Sequence, residues 1–241
     1  NEKFGDKLKL FFNPICADHG NAIGAALEYY YQQTGKNPIP SYMPLYLGSS
    51  YSDEEVLFSA NRFNFKISKV NKIDSAIDLI ERGKVIGWFQ GRSEFGPRGL
   101  GNRSILSLPT EQKYKDRVNE KVKKREPWRP FCPTIIEEKS NEFLKNPTYA
   151  PYMILGFEMK NPELYTAVSH IDGTCRPQIL RKEVNPDFYQ VVKGLNGIVL
   201  NTSFNLAGDP IVETPYDALM TLKNSEMDAL LINDFLIEKC V

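Results

Sequence analysis

The stretch GKVIGWFQGRSEFGPRGLGNRS, residues 83–104, determines much of how this chain folds. Its first part, residues 84–89, is apolar and bounded by glycine, which predicts a strand covered on both faces of a sheet. The residues that follow include several glycines and a proline, so we expect a loop rather than a regular element. The same loop contains Arg92, Arg98 and Arg103.

A loop of this composition is suited to binding an anion. Glycine lets backbone N–H groups approach a ligand, and guanidinium groups bind phosphate or carboxylate oxygens in pairs. The alternative is a surface loop with solvated arginines, and the pattern alone gives the two about equal weight. A P-loop or a dinucleotide fingerprint would need other residues at Asn102, Arg103 and Ser104. Any phosphate site here therefore has a different architecture.

Composition excludes several classes of function. Thirty acidic and thirty basic residues cancel, so no overall field favours nucleic acid or an anionic membrane. We find no secretory signal, and no apolar run approaches the roughly 20 residues of a membrane-spanning helix. The 4 cysteines lie apart, without CxxC pairs, as expected for thiols in a reducing compartment. We therefore expect a cytoplasmic protein without nucleic-acid or membrane partners. Because the chain begins at Asn1 rather than Met, we also expect a fragment of a longer protein.

The N-terminal part predicts a strand at residues 8–12 and a helix at residues 22–33, capped by Gly35. Asp18 precedes this helix, where it is either a helix cap or a functional residue. Residues 36–50 are rich in proline and predict a connector between two folding units. We therefore expect one unit at residues 1–50 and another at residues 51–241.

The basic segment KVKKREPWRPF follows a predicted helix at residues 111–122. Within it, Lys123 and Arg125 are two positions apart and project to the same side if the backbone is extended there. That arrangement would place two cations in one site. The alternative is the solvated basic end of a helix, which the helix dipole favours.

Two later segments place polar groups beside predicted turns and strand ends. In HIDGTCRPQ, an Asp-Gly turn presents His170 and Arg176 on either side. The predicted strand at residues 197–200 ends in NTSFN, at the position where open α/β sheets bind ligands. Ser203 and Asn205 there either orient a polar substrate or close a turn. Other predicted elements are helices at residues 53–62, 74–82, 139–145, 186–193 and from 214, and strands at residues 133–136 and 152–159. Their irregular alternation indicates a mixed α/β domain.

Five blocks of the sequence resemble a known family. They are GWFQGRSEFGPRGLGNRSIL, VNEKVKKREPWRPF, HIDGTCRPQ, LNTSFNLAGDPIV and MDALLINDF, and they resemble the C-terminal half of the nodulation-type O-carbamoyltransferases. The resemblance extends from about residue 8 to the end and implies a YrdC-like domain, a twisted mixed α/β sheet with flanking helices, at residues 51–241. It also implies that residues 1–50 are the tail of an actin- and chaperone-like, ATPase-fold domain followed by a proline-rich linker.

The resemblance implies a two-stage reaction. The YrdC-like domain makes carbamoyl adenylate from carbamoyl phosphate and ATP with Mg²⁺, and the N-terminal domain transfers the carbamoyl group to a substrate hydroxyl. The family's KxR and SxN pairs fall on Lys123, Arg125, Ser203 and Asn205, which are the implied catalytic residues for the triphosphate and the adenylate. The implied binding residues for carbamoyl phosphate and ATP are Arg92, Arg98, Arg103, Arg176 and His170.

The same resemblance implies a metal ion, Fe²⁺, in the N-terminal domain of the full-length protein, with Asp18 as one ligand in a DxG motif. The histidine ligands would come from sequence absent here, so we do not expect iron in this chain alone. Small departures from the family pattern are Gly99 and Cys132 where alanine is common, Trp128 for phenylalanine and Asp209 for glutamate. None of them removes a charged group from the implied site.

Two other functions remain open at this point. A threonylcarbamoyl-adenylate synthase shares the YrdC-like domain and uses bicarbonate and threonine, although the glycine-rich block and the Asp18 segment argue against it. A non-catalytic module could bind double-stranded RNA through the basic residues 113–129, although the zero net charge argues against that. The sequence leaves the acceptor alcohol and the oligomeric state open, a homodimer being one option. Because the acceptor domain is incomplete, we do not expect this chain to complete the transfer.

Overall fold

The structure is a computed structural model that describes residues 14–15, 18–37 and 45–240. The chain divides into two compact units, residues 1–45 and 46–241. In the first unit, a 3₁₀ turn at Asp18–Gly20 leads into helix α1 (Asn21–Thr34), which ends at Gly35 in the left-handed conformation. This confirms the predicted helix and its glycine cap. The strand predicted at residues 8–12 lies outside the described residues.

The second unit is built on a mixed eight-stranded sheet. The strands of this unit are β1 (Phe65–Lys69), β2 (Ile86–Phe89), β3 (Arg103–Ser107), β4 (Cys132–Ile136), β5 (Phe157–Glu158), β6 (Thr174–Cys175), β7 (Gln178–Leu180), β8 (Ile198–Ser203), β9 (Ala229–Ile232) and β10 (Phe235–Lys239). The sheet order is β1-β10-β9-β2-β3-β8-β4-β7, and β5 pairs with β6 separately. The pairs β2–β9 and β4–β7 are parallel, whereas the other pairs are antiparallel. The expected mixed α/β sheet is confirmed.

Helices cover both faces of this sheet. They are α2 (Asp53–Ala60), α3 (Lys72–Glu81), α4 (Gln112–Arg117), α5 (Ser140–Phe143), α6 (Pro186–Gly194) and α7 (Pro215–Asn224). A π-helix at Val118–Lys123 continues α4, and 3₁₀ turns lie at Glu137–Lys139 and Pro162–Leu164. Both α2 and α7 begin with capping boxes, at Ser52 and Thr214, where the sequence predicted helix starts.

The core has one layer on each side of the central strands. Helices α2 and α7 contribute to one buried apolar cluster, and α3 and α6 contribute to another. Side chains of β2 alternate between the two layers, with Phe89 in the first and Ile86 and Trp88 in the second. All four residues of β2 are buried, which confirms the prediction of a strand covered on both faces.

Gly101 is required by the close approach of two elements. Its φ of +107° is unfavourable for any residue with a side chain, and an added Cβ would lie 2.1 Å from the ring of Phe188 on α6. The end of the glycine-rich loop therefore packs directly against a helix, so the path of the loop into β3 is fixed from that side.

Several predicted elements differ from the structure. The strand predicted at residues 152–159 is wrong except at Phe157–Glu158, because Met153 adopts a left-handed conformation and the segment packs in a small separate cluster with α5. The helix predicted at residues 111–122 begins one residue later, and its second half is π-helical. Strand β8 extends through Ser203, three residues beyond its predicted end. None of the helices in the described residues is long and apolar enough to cross a membrane.

Candidate active site

The register of the sheet brings the motifs of this site to one end of four neighbouring strands. Antiparallel pairing places Ser104, at the start of β3, opposite Ser203, at the end of β8. It also places Cys132, at the start of β4, opposite Asn201 on β8. Strand β7 runs parallel to β4, so it begins at the same end. The glycine-rich loop, the basic segment, the Arg176 segment and the NTSFN motif therefore meet there.

A cavity of about 310 Å³ opens where these segments meet, and we call it the cationic cavity. Among the described residues, its lining contains four arginines and no carboxylate. These lining residues are Pro97, Arg98, Gly99, Arg125, Arg129, Pro130, Phe131, Cys132, Met153, Arg176, Asn201, Thr202 and Ser203. Such a concentration of guanidinium groups suits a ligand with several negative oxygens.

Lys123 joins the basic segment to the NTSFN motif. Its side chain is almost completely buried and donates hydrogen bonds to the backbone oxygen of Ser203, to Ser203 Oγ at 3.3 Å and to Asn205 Oδ1 at 2.7 Å. Ser203 Oγ in turn donates to Asn205 Oδ1 at 2.7 Å. The three side chains therefore form one hydrogen-bonded group beside the cationic cavity.

The cations of this site are destabilised in their charged forms. Burial, followed by repulsion from Arg125 and Arg129, lowers the pKa of Lys123 to about 7. Burial and repulsion from Arg129 lower the pKa of Arg125 to about 10. Burial and repulsion from Arg176 also lower the pKa of Arg98. Within the described part of the chain, no carboxylate forms an ion pair with Lys123, Arg98 or Arg125. A bound anion would relieve this repulsion.

Asn119, in the π-helix, holds the basic segment in place. It is fully buried, its Nδ2 donates to the backbone oxygens of Pro127 and Arg129 at 3.1 and 3.0 Å, and its Oδ1 accepts from Arg125 Nε at 2.8 Å. The guanidinium of Arg125 also lies over the ring of Phe131, 4.7 Å from its centroid. Arg125 is therefore fixed in position by a residue that the sequence analysis did not identify.

The backbone between Lys123 and Arg125 is not extended, so the condition under which the two side chains would project to the same side is not met. Lys123 ends the π-helix, and Lys124 lies in the left-handed region at φ 54° and ψ 50°. Both side chains nevertheless reach the same site, because the chain turns sharply at Lys124 and Arg125 is drawn back to Asn119. π-Helical turns frequently occur at functional sites.

Glu94 organises the glycine-rich loop. Its Oε1 accepts hydrogen bonds from the backbone N–H groups of Leu100, Asn102 and Arg103, at 2.6, 2.7 and 3.2 Å. Burial raises the pKa of the Glu94 carboxyl, and the hydrogen bonds from Asn102 and Leu100 oppose this effect. The loop therefore closes around a carboxylate of its own and presents Arg98 beyond it, at the cationic cavity.

Arg92 and Arg103, both expected to bind substrate, are not among the residues that line the cationic cavity. Arg103 is the first residue of β3, is fully buried and donates to four backbone oxygens, of residues 49, 90, 91 and 102. Its guanidinium lies 3.5 Å from the centroid of the Phe89 ring. Arg92 donates to the backbone oxygens of Leu47 and Gly48 at 2.9 and 2.8 Å. Both side chains therefore hold neighbouring backbone segments in place.

Arg176 lines the cavity as expected, and its Nη2 donates to Cys132 Sγ at 3.5 Å. His170 does not line it. Instead its Nδ1 lies 3.0 Å from Thr174 Oγ1, and it borders a surface depression beside the exposed Trp128. Burial lowers the pKa of His170, partly opposed by Asp172.

A second cavity, of about 470 Å³, adjoins the first, and we call it the acidic cavity. The two cavities share Pro97 and Ser203, so Ser203 stands at their boundary. The acidic cavity is lined by Ser93, Glu94, Gly96, Pro97, Ser203, Asn205, Asp209, Pro210, Ile211, Val212 and Glu213. Its three carboxylates do not come together as a metal-binding group. The site thus has a positive and a negative half.

Asp18, the expected iron ligand, lies in the first unit and is exposed at the turn before α1. In residues 14–15, 18–37 and 45–240, no three His, Cys, Asp or Glu side chains are grouped so that they could hold a metal ion. The residues of these ranges therefore do not make up an iron site by themselves, and iron in the full-length protein stays a prediction.

Much of the basic region 113–129 is paired with carboxylates. The pairs are Lys113–Glu111 at 2.8 Å, Arg117–Asp228 at 2.7 Å, Lys121–Glu226 at 3.8 Å and Arg129–Glu126 at 3.6 Å. Four of the eight cations in this region are paired in this way, so the region attracts a nucleic-acid backbone less than the sequence suggests.

Asn119, Arg129 and Asn201 are among the residues of the site that were not identified as candidates from the sequence. Arg129 and Asn201 line the cationic cavity, whereas Asn119 does not line it and instead holds Arg125 and the backbone of residues 127–129. Arg129 had a signal, since it belongs to the basic segment. Asn201 also had one, since it is the first residue of the NTSFN motif. Asn119 had none of its own, because a buried amide in a helix is recognised only by what it contacts.

Comparison with known proteins gives the family. Residues 77–239 match the family described as Carbamoyltransferase C-terminus. The nodulation protein NolO of Bradyrhizobium diazoefficiens is 37% identical, over 95% of this chain and 44% of its own length. The nodulation protein NolNO of Sinorhizobium fredii is 38% identical, over 95% of this chain and 36% of its own length. The 3'-hydroxymethylcephem-O-carbamoyltransferase of Streptomyces clavuligerus is 28% identical, over 96% of this chain and 44% of its own length. The chain thus spans less than half the length of these relatives.

Solved structures support the fold. Full-length HypF superimposes with a TM-score of 0.52 at 16% identity, over 73% of this chain and 23% of its own. Sua5 of P. abyssi superimposes with a TM-score of 0.50 at 12% identity, over 71% of this chain and 49% of its own. These likenesses confirm the expected YrdC-like architecture. From its matched residues, this chain belongs to the carbamoyltransferase C-terminus family.

Proposed function

We propose that this chain forms carbamoyl adenylate from carbamoyl phosphate and ATP, as one part of an ATP-dependent O-carbamoyltransferase. The single observation that supports this most is the group of cations at the ends of β3, β4, β7 and β8, in which Arg98, Lys123 and Arg125 have no carboxylate partner among the described residues. Membership of the family supports carbamoyl transfer in general. HypF, which has a similar fold, was solved in a phosphate- and nucleotide-bound form, and this agrees with ligands of the proposed class.

Both substrates are polyanions, and their phosphates fit the cationic cavity. Arg98, Arg125 and Arg176 line it, and each guanidinium can bind two phosphate oxygens at once. Forming an adenylate needs little covalent help from the protein, because alignment and neutralisation of charge on the phosphate oxygens lower the barrier. Fixed arginines supply both. In this proposal Arg98 and Arg176 hold carbamoyl phosphate, and Arg125 holds the triphosphate.

Lys123, Ser203 and Asn205 are proposed to hold the reacting phosphate of ATP. They form one hydrogen-bonded group, and Ser203 stands at the boundary of the two cavities. The phosphates would lie in the cationic cavity and the uncharged adenosine in the acidic cavity. Amino and hydroxyl donors of a nucleoside suit the carboxylates of that second cavity. The α-phosphate, where the new bond forms, would then lie beside Ser203.

The stoichiometry requires one water molecule. Carbamoyl phosphate and ATP can release both phosphate and pyrophosphate only if water cleaves carbamoyl phosphate and the carbamate oxygen then attacks the α-phosphate of ATP. Mg²⁺ is proposed to accompany ATP and to neutralise its phosphate oxygens. The described residues contain no group of three or more His, Cys, Asp or Glu side chains that could hold a metal ion, and we assign no residue to Mg²⁺.

Transfer to a hydroxyl acceptor is proposed to need the remainder of a longer protein, because the chain spans only 36 to 44% of the relatives named above. The name of the Streptomyces clavuligerus relative specifies a hydroxymethyl acceptor for that enzyme. We propose a hydroxyl acceptor for this protein as well.

The direct test is release of pyrophosphate by the 241-residue chain supplied with ATP, Mg²⁺ and carbamoyl phosphate. We expect release that depends on carbamoyl phosphate, with carbamoyl adenylate detected by mass spectrometry. A second reaction contains threonine and bicarbonate instead. Activity only in that reaction would support threonylcarbamoyl-adenylate synthesis, and binding of ATP in neither condition would refute the proposal.

Two variants and a control sharpen this test. Lys123→Ala and Arg125→Ala should abolish ATP binding measured by isothermal titration. Lys121→Ala is the matched control, since Lys121 belongs to the same π-helix but is exposed and pairs with Glu226. It should bind ATP like the wild-type chain. An equal loss in all three variants would indicate a folding defect rather than the removal of ligand contacts.

A further inference from the structure

The wall of the cationic cavity contains a buried amide with one unpaired acceptor. Asn201 on β8 is 1% exposed and lines the cavity. Its Nδ2 donates to the backbone oxygen of Gly99 at 3.2 Å and to Thr134 Oγ1 at 3.0 Å. Because a backbone oxygen can only accept, the contact with Gly99 fixes which side-chain atom is nitrogen.

The neighbouring amide confirms this orientation. Gln178 Nε2 donates to the backbone oxygen of Leu100 at 2.8 Å, so its Oε1 must face the other way. That oxygen accepts from Thr134 Oγ1 at 2.8 Å. Thr134 therefore donates to Gln178 and accepts from Asn201, and no exchange of oxygen and nitrogen in either amide gives an equally satisfied network.

The remaining atom, Asn201 Oδ1, is buried and has no hydrogen-bond partner in the residues that the structure describes. An unpaired buried acceptor is costly, and native proteins seldom retain one without a ligand or a water molecule to fill it. The cavity that Asn201 lines also contains four arginines. Oδ1 itself has almost no accessible surface, so contact with a ligand in the cavity requires a small movement of the amide. Such a ligand needs an anionic group for the arginines and, next to it, a hydrogen-bond donor for the amide oxygen.

Carbamoyl phosphate has this combination, with a phosphate at one end and an amino group at the other. We propose that Asn201 Oδ1 accepts a hydrogen bond from the carbamoyl amino group and thereby selects carbamoyl phosphate over other acyl phosphates. The inference rests on the proposed function and adds to it a residue that determines specificity. Acetyl phosphate has nearly the same size but a methyl group in place of the amino group, so it leaves Oδ1 unpaired. Sites built around a substrate N–H reject analogues that lack it for this reason.

The first test needs only the wild-type chain and three ligands: carbamoyl phosphate, acetyl phosphate and inorganic phosphate. We expect isothermal titration to show carbamoyl phosphate binding about 10- to 100-fold more tightly than acetyl phosphate, the range for one buried hydrogen bond. Affinities within twofold of each other overturn the inference and leave the proposed anion site intact. Failure of all three ligands to bind removes the proposed function and this inference with it.

Two variants locate the selectivity. Asn201→Ala should bring the affinity for carbamoyl phosphate to that for acetyl phosphate, while the affinity for inorganic phosphate changes less than threefold. Thr134→Val is the matched control, because it breaks the same buried network from β4 but retains Asn201 Oδ1. It should keep the preference even if it unfolds at a lower temperature. Loss of the preference in both variants, or in neither, contradicts the assignment, and if Asn201→Ala does not fold, the wild-type ratio decides.

Discussion

Lys123 Nζ lies 2.7 Å from Asn205 Oδ1, although the two residues are 82 positions apart in the sequence. The hydrogen bond joins the end of the π-helix to the turn after β8. It places a lysine with a lowered pKa where the candidate site changes from positive to negative. We expect this arrangement to affect proton binding, stability and the recognition of phosphate.

Binding of ATP should be accompanied by proton uptake at Lys123. With its pKa lowered to about 7, this amine is mostly neutral at pH 8. A triphosphate beside it favours the charged form, so a substantial fraction of one proton should be taken up. Titration calorimetry in two buffers with different ionisation enthalpies measures this fraction. Lys123→Met removes the titrating group, and equal uptake by variant and wild type would contradict the prediction.

The same lysine should make stability depend on pH. Its pKa is about 7 in the folded chain against 10.5 ordinarily, so the unfolded state binds more protons between these values. Stability from this group therefore rises from pH 7 toward pH 10, and below pH 7 the penalty for the buried charge is complete. The free energy of unfolding of Lys123→Met minus that of wild type should therefore be more positive at pH 6 than at pH 9. Urea unfolding at both pH values gives the comparison, and a pH-independent difference would refute it.

Arg98 and Arg103, only five positions apart, should behave in opposite ways. Arg103→Met removes a fully buried side chain that donates to four backbone oxygens, two of them at the buried residues Gln90 and Asn102, so we expect a loss of about 3 kcal/mol in the free energy of unfolding. Arg98→Gln should change stability by less than about 0.5 kcal/mol, because Arg98 faces a cavity. It should instead weaken phosphate binding about 30-fold, as expected for a lost charge contact of about 2 kcal/mol. Thermal unfolding and calorimetry separate the two effects.

Asn119→Ala should weaken ATP binding about tenfold without contact between Asn119 and the ligand. The variant releases the 127–129 backbone and the Arg125 side chain together. Glu126→Gln is the control from the same segment, since it removes an exposed carboxylate charge beside Arg129 and Arg125 but leaves the hydrogen bonds of Asn119 in place. Its affinity for ATP should stay within twofold of wild type. If both variants bind like wild type, Asn119 has no positioning role.

Features that depend on neighbouring residues could be predicted from the sequence. The capping box at Ser52 and the Thr214-Pro215 pair predicted where α2 and α7 start, and the apolar run before the glycine-rich loop became β2. These predictions hold because a cap or a strand pattern is completed within a few residues. The five motif blocks identified the family for the same reason, since each is read as a short string.

The different roles of the three arginines could not be predicted from their neighbouring residues. Arg92, Arg98 and Arg103 stand in one loop, yet only Arg98 lines the cationic cavity, and the other two bind backbone oxygens. The roles of Asn119 and Asn201 depend on partners brought near by the turn at Lys124 and by the pairing of β8 with β3 and β4. An arginine or amide has the same local signature whether it meets a ligand or a carbonyl. Its partners are set by long-range strand register and burial, which exist only once the chain has folded.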